Sequence, residues 1–278
     1  MEWRSASFLE RLATRRLGRR VSYFAETEST MDTVRDEIAR CVKESVDVPQ
    51  DLLVVADFQT KGRGRIASRS WESSKAKNIL ASFVVKVGSP TEMVRANLGI
   101  AISIAQTARA FGLSAGVKWP NDVWVKGKKL AGILIDVSPV SGSDFVLNIG
   151  IGVNVNEHIA EIEEKDVQQS SCSFLSELGS EVSREHVLAD ILNAFEPLLD
   201  LSLADVIERY SELDVLRDKE VVVLPRRIEH AAEESYDAIA RGLDASGYLR
   251  VQLKSSREIK SISSDEVSVR PFLEHFKH

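Results

Sequence analysis

Four strings hold the residues best suited to chemistry. Gln59-Thr-Lys-Gly62-Arg63-Gly64-Arg65 puts two arginines between glycines. Glycine lets a backbone approach a ligand and expose its amides, and arginine supplies a planar, permanently charged donor for carboxylates and phosphates. Alone, this string also suits an Arg-Gly segment that binds RNA, or a solvated basic loop. Lys118-Trp119-Pro120-Asn121-Asp122 presents an amide and a carboxylate from one turn. Such a pair suits a base edge and a hard cation such as Mg²⁺, or simply caps a tight turn.

Lys129-Leu-Ala-Gly132-Ile-Leu134 opens an apolar strand with a lysine, whose ammonium can meet negative charge as it develops. Gly132 would let a ligand ring lie against that strand. Asn148-Ile-Gly150-Ile-Gly152-Val-Asn154 carries two glycines inside a strand. That pattern marks either a close ligand approach or a bend.

Several chemistries lack support. The spacings of phosphate-binding glycine loops do not occur, and the five histidines form no metalloprotease pairing. The only cysteines, Cys41 and Cys172, cannot build a disulfide framework or a cysteine-rich zinc site. A formal net charge of −6 argues against a broadly basic nucleic-acid surface, and no apolar run is long enough to span a membrane. Arg4, Arg11, Arg15, Arg16, Arg19 and Arg20 suggest a mitochondrial presequence, but Glu2 and Glu10 disfavour one. A solvated N-terminal helix is the expectation. The expected compartment is cytoplasmic, with a mitochondrial one left open.

The elements that must position these strings follow from periodicity. Strands are predicted over 21–24, 52–56, 79–87, 130–137 and 145–155, with shorter ones at 117–119 and 123–125 around the Pro-Asn-Asp turn. Helices are predicted from Glu28-Ser29-Thr30 through about Cys41, over Met93–Phe111 capped by Gly112, and over 185–199 and 203–213. Residues 157–171 read as mostly loop. Beyond Leu216 the texture changes to short strands at 221–224, 236–243, 248–253 and 266–269. The expected units are therefore 1–215 and 216–278.

In this order and spacing, the Glu-Ser-Thr helix start and the four strings closely resemble the biotin–protein ligase family, from about Val21 to Pro271. The resemblance implies an α+β fold: a mixed sheet with helices on one side, then a small SH3-like barrel. It implies ATP, Mg²⁺ and biotin as ligands, with biotinyl-5′-AMP as intermediate. The implied partners are the biotin carboxyl carrier domains of biotin-dependent carboxylases, not nucleic acid or membrane, with the chain a monomer or homodimer. Ser29, Thr30, Gln59, Gly62, Arg63, Gly132, Leu134 and Gly150 would hold biotin. Lys129 and Arg65 would be catalytic and touch both substrates. Arg63, Trp71, Lys118, Asn121, Asn154 and Arg270 would border the nucleotide, with Asp122 and Asn154 at the metal.

The chain departs from the family where a second Gly-Arg is usual: Ile66-Ala-Ser-Arg69-Ser-Trp71 stands there, one residue longer. That unsettles the register of Arg69 and Trp71. Many bacterial members also carry an N-terminal helix-turn-helix domain; about twenty residues are too few for one, so a repressor role is not expected. Lipoate–protein ligases and octanoyl transferases share the fold but typically show Arg-Arg…Gly-Gly-Gly instead of Gly62–Arg65. A non-catalytic biotin or nucleotide sensor is the other alternative.

Overall fold

The computed structural model describes residues 2–65, 70–140, 144–159, 171–225, 235–264 and 267–271. The Leu52–Ala56 strand (β2) is buried throughout, so both faces of the sheet containing it must be covered. It pairs in parallel with β1 (Arg20–Phe24) and antiparallel with β3 (Ile79–Val87). The sheet continues through β7 (Phe145–Val153), β6 (Lys128–Pro139), β5 (Asp122–Val125) and β4 (Ala115–Lys118), giving the order β1-β2-β3-β7-β6-β5-β4.

Side chains alternate between two apolar clusters. Leu53 and Val55 face α3 (Pro90–Ala110), α5 (Arg184–Phe195) and α6 (Leu203–Ser211), whereas Leu52, Val54, Val84 and Val146 face Val34 and Ile38 of α2 (Thr30–Glu44). Helices thus cover both faces, not one as expected, because α2 also buries an apolar stripe. α3 starts with Ser89 accepting the Glu92 amide and Pro90 in the first turn, and Gly112 beyond its end has a left-handed φ of 94°. Lys126 and Gly127 both have positive φ, the geometry of a tight hairpin turn, and deliver the chain into β6.

The N-terminal segment is not a solvated helix. α1 (Ser5–Arg11) lays a fully buried Phe8 against the main core, with Trp3, Leu12 and Leu17. The Glu196 carboxylate accepts the amides of Arg15, Arg16 and Leu17 at 2.6, 2.8 and 3.1 Å, and Glu185 accepts that of Arg4 at 2.9 Å. An arginine count cannot reveal such main-chain anchoring.

After the short α4 (Phe174–Leu178) and the three helices, five antiparallel strands form a second sheet. They are β8 (Glu220–Pro225), β9 (Tyr236–Leu243), β10 (Leu249–Leu253), β11 (Ile259–Ile262) and β12 (Val267–Pro271). The α+β class holds. β11 was not predicted, since Ile259, Lys260 and Ser261 are all exposed and only Ile262 is buried. Of the 157–171 stretch, residues 160–170 lie outside the described residues.

The chain leading into the second sheet is bolted to the first. The Val117 amide donates to the Leu213 carbonyl at 2.7 Å, and the Val215 amide to the Val117 carbonyl at 3.0 Å. Gly116 permits this approach, because a β-carbon there would lie 2.5 Å from Val215 and 2.6 Å from the Leu213 oxygen. Trp119, one residue past β4, is buried in the apolar core of the second sheet with Leu216, Val221 and Leu249.

Candidate active site

The strand register builds a floor of two rows. Gly150 pairs with Ser82 on one side and Leu134 on the other; Gly152 pairs with Leu80 and with Gly132, which in turn faces Asp122. Paired residues point to the same face, and rows two residues apart lie about 7 Å apart along the strands. A cleft of about 520 Å³, counted to its open mouth, lies over both rows.

Over the first row stands the start of α2. Ser29 and Thr30 are buried there, and the Ser29 side chain makes no capping bond among the described residues. Thr30 donates through its amide and its hydroxyl to Gln59 Oε1, at 2.8 and 3.0 Å. Its hydroxyl also lies 2.7 Å from that of Ser82. Two donors on one oxygen fix the Gln59 amide, leaving its NH₂ group as the donor for a ligand. Met31 lies on Gly150, completing the roof.

Over the second row lies Trp71. A β-carbon on Gly152 would fall 2.5 Å from its indole, and one on Gly132 would fall 3.0 Å away. Gly132 was expected to seat a ligand ring; here it seats this one. The Trp71 amide donates to the Gly62 carbonyl at 3.1 Å, and Arg63 pairs with Ser70, so the Gly-Arg loop returns on itself and Trp71 is the outer wall of the cleft. The indole N–H is buried with no hydrogen-bond acceptor among the described residues. Arg69 lies outside the described residues.

Cations gather at this end. A register shift between β5 and β6 pairs Val123 with Ala131 but Trp124 with Lys129, so Leu130 is an extra residue. The bulge sends both Leu130 and Ala131 into the core and turns Lys129 onto the glycine side. Lys129 Nζ lies 2.8 Å from Asp122 Oδ1 and 5.6 Å from the Trp71 ring centre. Lys118 Nζ reaches Asp122 Oδ2 at 3.6 Å, over the Trp124 ring. Burial lowers the pKa of the Lys118 ammonium, against the opposing pull of Asp122. Arg65 lines the cleft and donates to the Ser264 carbonyl of the second sheet at 2.7 Å. Arg63 bonds Asp32 of α2 at 2.7 Å. Burial raises the Asp32 pKa, but Arg63 and Arg35 outweigh it and hold the carboxylate low. Asn121 donates to the Ile133 carbonyl at 2.5 Å and lines the cleft.

The cleft is therefore two-ended: a neutral polar end at Ser29, Thr30 and Gln59, with Ser82 buried behind Thr30, and a cationic end at Lys129 and Arg65. It suits a molecule with a polar, uncharged head and an anionic tail. The model of the biotin/lipoate A/B protein ligase family matches residues 23–156, a span that holds both rows and every one of these side chains. Across that span, 134 of the 278 residues, the chain matches this family.

Among curated proteins it is 31% identical to the bifunctional ligase/repressor BirA of Bacillus subtilis over 187 residues, covering 66% of this chain and 55% of that one. It is 26% identical to biotin–protein ligase 1, chloroplastic, of Arabidopsis thaliana, over 87% of this chain and 65% of that one. The chain thus spans roughly half to two thirds of these relatives. Among solved structures, the biotin protein ligase of Aquifex aeolicus in complex with biotin and ATP shares the fold, with a TM-score of 0.71 and 24% identity, over 91% of this chain and 99% of that one.

Of the residues expected at the family's site, Ser29, Thr30, Gln59, Arg63, Arg65, Trp71, Asn121, Lys129, Gly132, Leu134 and Gly150 line one cleft. Gly62, Lys118, Asp122 and Asn154 are not among the residues that line it. The Asn154 amide donates to the Cys172 carbonyl at 3.0 Å, tying down the chain after residue 170. Asp122 begins β5 and is not part of a turn. Arg270 is in β12 opposite Val222, and its side chain lies outside the described residues. Sequence reasoning missed Ser82 and Met31. Ser82 had a signal, as a lone hydroxyl inside the apolar Ile79–Val87 run must find a partner.

Proposed function

We propose that the chain is a biotin–protein ligase: it joins biotin to ATP as biotinyl-5′-AMP and passes the biotinyl group to a lysine of a carboxylase's carrier domain. The observation that carries this reading is the two-ended floor. Gln59, fixed by Thr30, offers amide donors to the ureido oxygen over the first row. The biotin carboxylate would then lie at the Trp71 end of the cleft, beside Lys129. An Arabidopsis relative named for this activity and the Aquifex structure with biotin and ATP support it.

In the first step a biotin carboxylate oxygen attacks the α-phosphorus and pyrophosphate leaves. Anions must be brought together, and Lys129 and Arg65 offset their repulsion within a cleft shielded by Trp71. Asn121 borders the nucleotide. An acceptor lysine amine then attacks the mixed anhydride, and AMP leaves. The Trp71 indole, lying against Gly132 and Gly152, would help keep water from the anhydride.

Mg²⁺ commonly binds through one or two carboxylates plus substrate phosphates; Asp122 would supply the one carboxylate, giving up a lysine contact to do so. Bound there, it would neutralise phosphate charge. Among the described residues no cluster of three or more acidic, histidine or cysteine ligands exists to hold a metal without phosphate. We assign residues 1–215 to catalysis and 216–278 to bracing the Gly-Arg loop through the Arg65–Ser264 bond.

The test is incubation with ATP, Mg²⁺, labelled biotin and a biotin carboxyl carrier domain. Label on the carrier lysine is expected. Transfer of lipoate or octanoate but not biotin would move the chain to the family's other branch, and biotin binding without pyrophosphate release would make it a sensor.

A further inference from the structure

The lysine at the tail end of the cleft is already engaged. A β-carbon on Gly132 would lie 3.2 Å from both Cε and Nζ of Lys129, so this side chain is folded flat across the bare floor. The Trp71 ring centre is 5.6 Å from the ammonium. That path leads to Asp122, which the β5–β6 register sets directly opposite Gly132. The ammonium ends 2.8 Å from Asp122 Oδ1, and the Asp122 side chain is only 11% exposed. Lys118, opposite Asp122 across β4 and β5, has its Nζ 3.6 Å from Oδ2. One carboxylate thus stands between two lysines, and of the three residues Lys129 alone lines the cleft.

We infer that Asp122 masks Lys129: it is a positioning residue that holds the ammonium against β5, and a carboxylate-tailed substrate must compete with it for the same cation. This rests on the ligase reading above and deepens it. An ammonium has three donors, so the incoming carboxylate is not shut out. It gains less than it would from a free lysine, because one donor is committed and the Asp122 charge beside it repels a second anion. Any contact that draws the Asp122 carboxylate away, a phosphate-bound cation among them, would release Lys129 to the reacting anions. Lys118 bears on the mask from the far side, since it shares the Asp122 charge that would otherwise fall on Lys129 alone.

The test is calorimetry on the full chain without nucleotide or metal. Its two ligands are biotin and the biotin analogue in which an alcohol replaces the carboxylate. Asp122→Asn keeps the size of the side chain and removes its charge. It should bind biotin roughly tenfold more tightly than the parent, the scale of one charge-assisted hydrogen bond, and leave the affinity for the alcohol unchanged. A purely structural role for Asp122 would move biotin binding the other way or not at all. Because Asp122→Asn also adds a net positive charge, the double variant Lys118→Met with Asp122→Asn restores the parent's balance. It should still bind biotin several-fold more tightly than the parent, since Lys129 stays unmasked. Lys118→Met alone should bind biotin more weakly.

Biotin affinity unchanged or weakened in Asp122→Asn, with its melting transition intact, would overturn the mask. So would a gain that disappears in the double variant or that the alcohol shares. If Asp122→Asn strands the buried Lys118 and does not fold, the double variant decides the matter, because it removes both members of that pair. A parent that binds biotin while the variants keep its affinity defeats the Asp122 inference alone. A parent that binds no biotin defeats the ligase reading as well.

Discussion

Asp214 sits where the chain passes from α6 to the second sheet, laid against β4 just ahead of Lys118. Its Oδ1 accepts the Leu216 amide at 2.9 Å, while Oδ2 is buried with no hydrogen-bond partner among the described residues. Burial pushes its pKa from 3.8 up to about 6, the Leu216 amide and Arg217 offsetting only part of that rise. The unfolded chain releases this proton near pH 4 and the folded protein near pH 6, so between those values the folded state holds the extra proton. This residue's contribution to stability is therefore best below pH 4, falls as pH rises through about 6, and is flat above. The gap between 3.8 and about 6, at about 1.4 kcal/mol per pH unit, amounts to about 3 kcal/mol at most. Asp214→Asn keeps the acceptor for Leu216 and carries no charge at any pH. Thermal melts of parent and variant at pH 4.5 and pH 7.5 isolate the effect, because every other carboxylate cancels in the difference. The variant should melt several degrees higher at pH 7.5, at roughly 2–4 °C per kcal/mol, and much closer to the parent at pH 4.5. An equal difference at both pH values would refute the argument.

Two other perturbations test separate parts of the structure. Lys129→Ala should slow pyrophosphate exchange by about 10²–10³-fold, the usual loss for one charge-stabilising donor, and exchange at the parental rate would remove Lys129 from the chemistry. Phe8→Ala removes a fully buried ring and should cost about 3–5 kcal/mol in denaturant unfolding; a loss below about 1 kcal/mol would mean that the N-terminal segment does not belong to the core.

Much of the fold was legible because its signals are local. Strands with continuous apolar runs, such as 52–56 and 79–87, and a long apolar helix bounded by Ser89-Pro90 and Gly112 declare themselves by pattern. β11 did not, since an edge strand needs no apolar alternation. The N-terminal segment was misjudged because its arginines hid a main-chain interaction with Glu196, about 180 residues away. The spacing of Asn154 from Gly150 and Gly152 likewise does not reveal its hydrogen bond to the Cys172 carbonyl, because that partner comes from a later segment.

The sequence by itself determined the inventory of the site: glycines at 132, 150 and 152, the hydroxyls of Ser29 and Thr30, Gln59, and the cations of the Gly-Arg loop. Residue types and order carry that information, because only glycine leaves a strand floor bare. Tertiary structure decided who faces whom. Lys129 and Gly132 are three apart, so in a regular strand they would point to opposite faces; the bulge at Leu130 brings the ammonium onto the glycine floor. Cross-strand register likewise set Ser82 beside Gly150 and brought Met31 down upon it. Strand register and bulges arise from pairing between distant segments, and one residue of slip reverses every side chain. No local pattern encodes that choice.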